Sequence, residues 1–138
     1  MKVGVLTVSD GCARGVRKDA SGDAIVGWCA ASGLTVAVRD VVPDDTARIT
    51  RTLAAWCDDL DVDVVLTTGG TGPAPRDVTP EATRAVLERE MPGVAEALRR
   101  KGERTTPYAL LSRGVAGIRG HTLVVNLPGS PGGVRDGL

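Results

Sequence analysis

A glycine-rich segment that follows an apolar run constrains the fold of this chain more than any other feature. The segment is Thr67–Glu81, with the sequence TTGGTGPAPRDVTPE, and the apolar run before it covers Val62–Leu66. In α/β proteins an anionic ligand commonly lies in the loop between a buried strand and the start of a helix. Glycines lack side chains, so backbone N–H groups can approach phosphate oxygens closely. The segment therefore predicts an α/β fold with an anion-binding loop.

The same glycines admit a second interpretation, because glycine-rich turns after strands often serve only to reverse the chain. The segment is not a P-loop, since no Lys-Ser or Lys-Thr pair follows the glycines, and Pro75 stands where a dinucleotide-binding fingerprint has its last glycine. Arg76 and Asp77 favour a ligand-binding role, because an arginine fork suits phosphate and a carboxylate suits a hard cation.

A second glycine-containing loop, Leu127–Gly133, follows another apolar run, Thr122–Asn126. In an open α/β sheet, the loops at the carboxyl ends of parallel strands lie on one edge. We therefore expect this loop to face the same crevice as the first one, although the two are far apart in sequence.

Apolar runs of strand length alternate with helical patterns along the chain. The predicted strands are Lys2–Val8, Thr35–Val42, Val62–Leu66 and Thr122–Leu127, and Ser9–Asp19 is predicted to be a loop. The predicted helices are Ser21–Ser32, one starting near Thr46, one starting near Thr79, Val94–Lys101 and Pro107–Arg113. This alternation predicts a three-layer α/β/α fold with a mostly parallel sheet. No linker or repeat divides the chain, so residues 1–138 are predicted to form a single domain.

Three of these segments carry more detailed predictions. The apolar stripe of the helix near Thr46 is spaced by four, three and four positions and consists of Ile49, Leu53, Trp56 and Leu60. The next helix is predicted to use Thr79 as its N-cap, with Pro80 in its first turn. The glycine-punctuated stretch Val115–Gly120 is expected to turn back before the last strand, and a final helix is expected after Gly133.

Charge and cysteine content exclude several classes of protein. Lys+Arg and Asp+Glu number 17 each, so the net charge is zero, which argues against general nucleic-acid binding. Cys12, Cys29 and Cys57 are widely spaced and have no histidine cluster beside them, which argues against a zinc site and fits a reducing cytoplasm. No apolar stretch approaches the roughly 20 residues of a membrane span.

Six short motifs support a resemblance to a known family. They are Val8-Ser9-Asp10, Val42–Asp45, Thr68–Gly72, Arg76–Glu81, Leu111-Ser112-Arg113 and Leu127–Pro131. In this order and at this spacing, over essentially the whole chain, they resemble the MogA/MoaB family of molybdenum cofactor biosynthesis, which is related to the gephyrin G domain. Each motif alone is weak, and together they are specific. The resemblance implies a molybdopterin-binding, MogA-like fold.

The resemblance also implies an activity. In the best understood members of the family, AMP is transferred from Mg²⁺-bound ATP to molybdopterin, so the chain is expected to be a molybdopterin adenylyltransferase. A non-catalytic molybdopterin-binding paralogue, or a scaffold module of the same fold, is the alternative. The family further implies a cytoplasmic homotrimer whose downstream partner is a molybdenum-insertion protein.

Site residues follow from the same resemblance. Asp44 and Asp77 are predicted to be catalytic and to bind magnesium. The nucleotide is predicted to lie against Gly69, Gly70, Thr71, Gly72, Pro128, Gly129 and Ser130. Molybdopterin is predicted to contact Ser9, Asp10, Arg76 and Ser112. Each of the two aspartates also has a structural alternative, a helix N-cap for Asp44 and a turn cap for Asp77, while Asp45 is expected to be purely a cap.

The chain departs from the family at two places. Gly11 and Cys12 stand where relatives often have an arginine after Ser-Asp, so one of Arg14, Arg17 or Lys18 would have to replace it if that arginine helps to bind substrate. Relatives also continue beyond position 138, so the domain is expected to be shortened at its C-terminus or to lack a disordered tail here.

Overall fold

The computed structural model describes residues 1–138 and contains one six-stranded sheet. The strands are β1 (Lys2–Val8), β2 (Thr35–Val42), β3 (Val64–Thr68), β4 (Arg89–Glu90), β5 (Ala116–Arg119) and β6 (Thr122–Leu127). Their order in the sheet is β2-β1-β3-β6-β5-β4. The first four strands in this order are parallel, and β5 and β4 extend the sheet with antiparallel pairings. The prediction of a mostly parallel sheet is confirmed.

Helices cover both faces of the sheet. They are α1 (Asp10–Ala13), α2 (Ala20–Ala31), α3 (Thr46–Asp59), α4 (Thr79–Val86), α5 (Pro92–Glu103), a 3₁₀ helix (Pro107–Leu111) and α6 (Pro131–Gly137). None of them combines the length and the hydrophobicity that crossing a bilayer requires.

Alternating side chains of the central strands divide the core between the two faces. In β1, Leu6 and Val8 belong to a cluster with buried residues of α3 and α4, whereas Val3 and Val5 belong to a cluster on the other face with α2 and α6. A strand buried on both faces reads as a nearly continuous apolar run, which explains the sequence of β1. The three-layer α/β/α prediction is confirmed.

The strand order places a topological switch point in the middle of the sheet. After β1 the chain adds β2 on one side and then returns to add β3 on the other side of β1. Ligands of open α/β sheets bind outside the carboxyl ends of the strands at such a point. The loops after β1 and β3 leave the sheet there.

Several local predictions are wrong. The stretch Ser9–Asp19 is not wholly a loop, because it contains α1, capped by the Ser9 side chain, which accepts from the Cys12 N–H at 3.2 Å. Leu60 does not belong to the buried stripe of α3, because the helix ends at Asp59 and Leu60 is 43% exposed. Cys57 is buried on that helix together with the other predicted positions.

Other differences concern helix starts and the end of the sheet. Thr79 is the first residue of α4 and not its N-cap, a position that Val78 takes without a side-chain hydrogen bond. The predicted helix Pro107–Arg113 is the shorter 3₁₀ helix, and α6 begins at Pro131, before Gly133. Within Val115–Gly120 lies strand β5, whose antiparallel pairing with β6 is made through a turn at Gly120.

Candidate functional site

The loops after β1, β3 and β6 meet at the carboxyl edge of the sheet. The N–H of Gly69 donates to the carbonyl of Leu127 at 3.3 Å, and Oγ1 of Thr68 donates to the carbonyl of Pro128 at 2.6 Å. On the side of β1, a Cβ added to Gly69 would collide with the carbonyl oxygen of Val8. The segment Gly69–Gly72, called the glycine loop below, therefore lies beside the Leu127–Gly133 loop.

The glycine loop has a backbone shape that other residues rarely adopt. Gly69 and Gly70 have φ angles of +97° and +69°, in the left-handed region where a Cβ is strained. Thr79 binds the carbonyl groups of both residues. Its Oγ1 donates to the carbonyl of Gly69 at 2.9 Å, and its N–H donates to the carbonyl of Gly70 at 3.1 Å. This use of its side chain explains why Thr79 does not cap α4.

Three N–H groups of the glycine loop have no hydrogen-bond acceptor within the chain, those of Gly70, Thr71 and Gly72. Such groups can bind the oxygens of a phosphate. The N–H of Gly69 is not available in this way, because it already donates to Leu127. The Gly69 N–H thus joins the two loops, and the predicted contact between Gly69 and the nucleotide stays a prediction.

Asp44 lies at the end of β2 and exchanges hydrogen bonds with Asp10. The N–H of Asp10 donates to Oδ2 of Asp44 at 2.9 Å, and the N–H of Asp44 donates to Oδ1 of Asp10 at 3.0 Å. Asp44 is not the N-cap of α3, since Asp45 takes that position and accepts from the N–H of Arg48 at 3.1 Å. The expected capping role of Asp45 is confirmed, and the N-cap alternative for Asp44 is wrong.

Asp77 closes the turn that follows the glycine loop. Its Oδ2 accepts from the N–H of Ala74 at 3.0 Å, so the turn-capping alternative describes one of its two carboxylate oxygens. A Cβ added to Gly72 would lie 2.8 Å from the same Oδ2. Asp44 stands in a similar relation to Gly70, whose added Cβ would lie 3.2 Å from Oδ1 of Asp44. Both predicted catalytic carboxylates thus lie beside the glycine loop, and both line the second cavity described below.

Arg76 pairs with Asp10. Its Nε donates to Oδ2 of Asp10 at 2.6 Å and its Nη2 donates to Oδ1 at 3.0 Å, with a further bond to the carbonyl of Asp44 at 3.2 Å. The hydrogen bond from Arg76 lowers the pKa of Asp10, and the N–H of Asp44 adds to this effect. The predicted phosphate-binding arginine therefore links the loop after β3 to the loop after β1.

Two cavities open on either side of the glycine loop. The first, of 540 Å³, is enclosed by the glycine loop, α5, the 3₁₀ helix and the start of α6. Glycines, hydroxyl-bearing residues and apolar residues form most of its wall, among them Leu98, Tyr108 and Ser112. Arg99 and Asp136 add charged groups to it.

The second cavity, of 450 Å³, lies between the loop after β1 and the glycine loop. Arg17 and Lys18 bring positive charge to it, and the N-terminal residues Ala20 and Ser21 of α2 form another part of its wall. Basic side chains and a helix N-terminus both favour anions. Asp44 also lines this cavity.

The two cavities share a boundary. Gly70, Asp77, Gly129 and Ser130 line both of them. The N–H groups of Gly129 and Ser130 also have no acceptor within the chain. A group that lies in one cavity is therefore next to a group in the other, with a carboxylate and unpaired N–H groups between them.

The predicted molybdopterin-binding residues do not come together. Ser9 lines the second cavity and Ser112 lines the first, on opposite sides of the glycine loop. Asp10 and Arg76 line neither cavity and are engaged with each other. The glycine loop lies between Ser9 and Ser112, and the predicted contacts of these four residues with molybdopterin stay predictions.

No set of three or more histidine, cysteine or acidic side chains is arranged to hold a metal ion. The carboxylates of Asp44 and Asp77 each accept a backbone N–H bond through Oδ2, so the Oδ1 atom of each is free of hydrogen bonds from the chain. Magnesium is usually held by one or two carboxylates together with substrate phosphates and waters. These two oxygens fit that form of binding and do not fit a site made wholly by the protein.

The sequence offered Arg14, Arg17 and Lys18 as replacements for the family's arginine, and the structure places Arg17 and Lys18 at the second cavity. The contacts of Arg113 were missed, since it belonged to a recognised motif without a role and yet bonds to Thr71 and Gly72 of the glycine loop. No sequence spacing could have shown those bonds, because they join distant segments.

Together, the switch point, the unpaired N–H groups and the carboxylates of Asp44 and Asp77 describe an α/β protein with two adjoining cavities whose chemistry suits phosphorylated ligands. The family model for the probable molybdopterin binding domain matches residues 4–138. The chain therefore belongs to this family, as the motifs predict.

Individual relatives agree with this assignment. The molybdopterin adenylyltransferase of Helicobacter pylori is 42% identical over 138 residues, which are 99% of this chain and 78% of that protein. The molybdenum cofactor synthesis protein cinnamon of Drosophila melanogaster is 46% identical over 136 residues, 96% of this chain but 22% of that much longer protein. The crystal structure of the molybdopterin biosynthesis enzyme MoaB from Thermus thermophilus has 53% identity and a TM-score of 0.93, covering 99% of this chain and 86% of that one.

Asp44 should make the stability of the metal-free protein depend on pH. Burial raises the pKa of Asp44, and the negative charges of Asp10 and Asp77 raise it further, against the opposing effects of the Asp10 N–H and of Arg76. A carboxyl with a raised pKa stabilises the fold at low pH, and this contribution is lost as the pH rises through the folded-state pKa. We expect Asp44→Asn to raise Tm at about pH 7.5 and to leave it nearly unchanged at about pH 3.5, where the aspartate is mostly protonated. Thermal unfolding in a chelating buffer measures this, and an equal Tm change at both values would contradict it.

Proposed function

We propose that the chain is a molybdopterin adenylyltransferase of molybdenum cofactor biosynthesis, which transfers AMP from ATP to molybdopterin. The observation that carries the proposal is the boundary shared by the two cavities, because a transfer between two bound molecules needs their reacting groups side by side. The name of the Helicobacter pylori relative supports the same activity.

The reaction joins two anions. A phosphate oxygen of molybdopterin attacks the α-phosphorus of ATP, the new P–O bond forms, and the bond to the leaving pyrophosphate breaks. The protein forms no covalent bond. It must hold both phosphates near each other and offset their charge as the leaving group departs.

The residues of the shared boundary have the chemistry for this task. We assign the unpaired N–H groups of Gly70, Thr71, Gly72, Gly129 and Ser130 to the phosphates of the nucleotide. Gly69 and Pro128 contribute by joining the two loops on which these groups lie.

Asp44 and Asp77 would hold a magnesium ion that enters with ATP, through the Oδ1 atoms that the chain leaves free. The ion supplies positive charge to the phosphate oxygens when it is bound. Both side chains lie beside the glycine loop and line the second cavity, so they also fix where that charge is placed.

Among the residues predicted to bind molybdopterin, Ser9 and Ser112 are retained as contacts in separate cavities. Asp10 and Arg76 are assigned a different role, which is to hold the loops after β1 and β3 together. Arg17 and Lys18 are added as groups that attract an anionic substrate to the second cavity.

AMP transfer by the purified protein is the direct test. Molybdopterin, ATP and magnesium should yield adenylylated molybdopterin and pyrophosphate in equal amounts, and a chelator should stop the reaction. Binding of molybdopterin without pyrophosphate release would favour the alternative, a non-catalytic molybdopterin-binding paralogue or scaffold module.

The proposal also covers the setting of the enzyme. Adenylylated molybdopterin must be used by a later protein of the pathway, and a molybdenum-insertion protein is the expected downstream partner. The free thiols of Cys12, Cys29 and Cys57 fit a reducing cytoplasm. The balanced charge gives no support for a nucleic-acid partner.

Self-association, with a homotrimer as the expected form, belongs to the same proposal. Three apolar side chains of the 3₁₀ helix are exposed, Tyr108 at 75%, Leu110 at 64% and Leu111 at 55%, and such a patch is typical of a protein interface. Light scattering should give a mass three times that of the 14.2 kDa chain. Leu110→Glu should lower this mass, whereas Val16→Glu, at a similarly exposed residue elsewhere, should not. A parental mass of one chain at micromolar concentration would contradict the proposal.

A further inference from the structure

Arg113 contacts the glycine loop without lining either of the two cavities. It lies just after the 3₁₀ helix, and its Nε donates to the carbonyl of Gly72 at 2.8 Å. Its Nη2 donates to the carbonyl of Asp77 at 2.6 Å, and its own backbone N–H donates to the carbonyl of Thr71 at 2.8 Å. One residue thus binds three carbonyl groups between positions 71 and 77.

A carboxylate holds the guanidinium in place. Nη1 donates to Oε2 of Glu81 at 2.6 Å, and Nη2 donates to Oε1 at 3.3 Å. Glu81 lies in the first turn of α4, so it is anchored to a helix. The guanidinium is planar and presents its donors in a fixed fork, which lysine cannot reproduce with a single ammonium group.

The carbonyl contacts determine where the N–H groups point. In a trans peptide the C=O and the following N–H point in opposite directions. The carbonyl of Thr71 points to Arg113, so the N–H of Gly72 points the other way, and Gly72 lines the first cavity. The bond to the Asp77 carbonyl likewise fixes the backbone that carries the Asp77 carboxylate.

Arg113 itself lines neither of the two cavities that meet at Gly70 and Asp77. We propose that Arg113 is a positioning residue, whose guanidinium acts on the reaction by fixing the backbone at Gly72 and the place of the Asp77 carboxylate. This inference rests on the proposed adenylyltransferase activity, because that activity gives those two groups their roles.

Arg113→Lys is the test variant, since it keeps the charge and the backbone N–H bond to Thr71 and removes the fork that holds the carbonyl groups of Gly72 and Asp77. We expect kcat for AMP transfer to fall about tenfold to a hundredfold, the cost of a small misplacement at a reacting centre. KM for molybdopterin should stay within about twofold, because no contact to that substrate is removed. Hydrogen exchange of the hydrogen-bonded amides of Gly69, Ala74, Asp77 and Thr79 should become faster in the same variant.

Arg119→Lys is the matched control. Arg119 also joins a carboxylate to a backbone carbonyl, with bonds of 3.0 and 2.8 Å to Asp58 and 3.0 Å to the carbonyl of Val86, but it does not touch the glycine loop. The Arg119→Lys substitution should leave kcat and the hydrogen exchange of the loop amides at parental values. If Arg113→Lys does not fold, Glu81→Gln should show the same changes in milder form, with kcat about threefold lower, because it loosens the guanidinium and leaves Arg113 present.

The outcomes separate this inference from the proposed function. Parental kcat in Arg113→Lys, with or without faster exchange, overturns the positioning role, and so does an equal loss of kcat in Arg119→Lys. If the parental protein transfers no AMP, the proposed function fails, and the hydrogen exchange of the loop amides alone tests the inference. Faster exchange in Arg113→Lys but not in Arg119→Lys then still supports the view that Arg113 fixes the loop. Unchanged exchange in Arg113→Lys overturns it.

Discussion

Asp77→Asn should lower the rate of AMP transfer by about two to three powers of ten. Its Oδ1 is the free oxygen on the boundary of both cavities, and asparagine places a neutral oxygen where a magnesium ion favours a charged one. Loss of one preorganised electrostatic group typically costs about 3–4 kcal/mol of transition-state stabilisation. Asp44→Asn should act in the same direction, because Asp44 lines the second cavity with Asp77 and also keeps its Oδ1 free of hydrogen bonds.

Asparagine is the informative substitution because it preserves the structural bonds. The amide oxygen can still accept from the N–H of Ala74 at position 77 and from the N–H of Asp10 at position 44. Alanine would remove those bonds as well, at a cost to stability of about 1 kcal/mol. Steady-state kinetics should show the loss in turnover, while molybdopterin binding changes much less. Parental turnover in both asparagine variants would show that the two residues are structural and do not bind metal.

The second large effect is expected for Gly70→Ala, which should destabilise the fold by about 3 kcal/mol and reduce AMP transfer at least a hundredfold. Part of the cost is the strain of a Cβ at a φ of +69°, which is about 1–2 kcal/mol for the left-handed region. The remainder is steric, because the added Cβ would collide with Oγ1 of Thr79 and lie 3.2 Å from Oδ1 of Asp44. Moving either neighbour disturbs the loop or the predicted metal ligand.

Gly33→Ala provides the matched control for Gly70→Ala. Gly33 has nearly the same backbone angle, a φ of +73°, but an added Cβ there would meet nothing within 4 Å. It should therefore show the strain alone, about 1–2 kcal/mol in urea unfolding, with parental activity in the folded protein. Equal effects of the two substitutions would mean that the packing around the glycine loop is unimportant.

The fold was largely predictable because it depends on local patterns. The strand Lys2–Val8 was predicted with its observed bounds, since a strand buried on both faces leaves a continuous apolar run. Errors arose where a tertiary contact overrides local preference. Thr79 reads as a cap, yet its hydroxyl bonds to the carbonyl of Gly69, and Leu60 continues a stripe on a helix that has already ended.

The site was predictable in its loops and less so in its partners. The two glycine-containing loops were expected on one edge because that follows from strand direction, which the sequence reveals. The exchange of bonds between Asp10 and Asp44 joins the ends of β1 and β2, which no spacing within the chain encodes. The same reason hid the contacts of Arg113.

The common wall of the two cavities has a thermodynamic consequence. Gly70, Asp77, Gly129 and Ser130 belong to both, so a ligand that orders them for itself also orders them for its neighbour. Occupancy of one cavity should then change the affinity of the other, and linkage requires the factor to be the same in both directions. The cycle of this enzyme should therefore show cooperativity between unlike ligands within a single chain, and the affinity for ATP measured alone should differ from the affinity in the presence of molybdopterin.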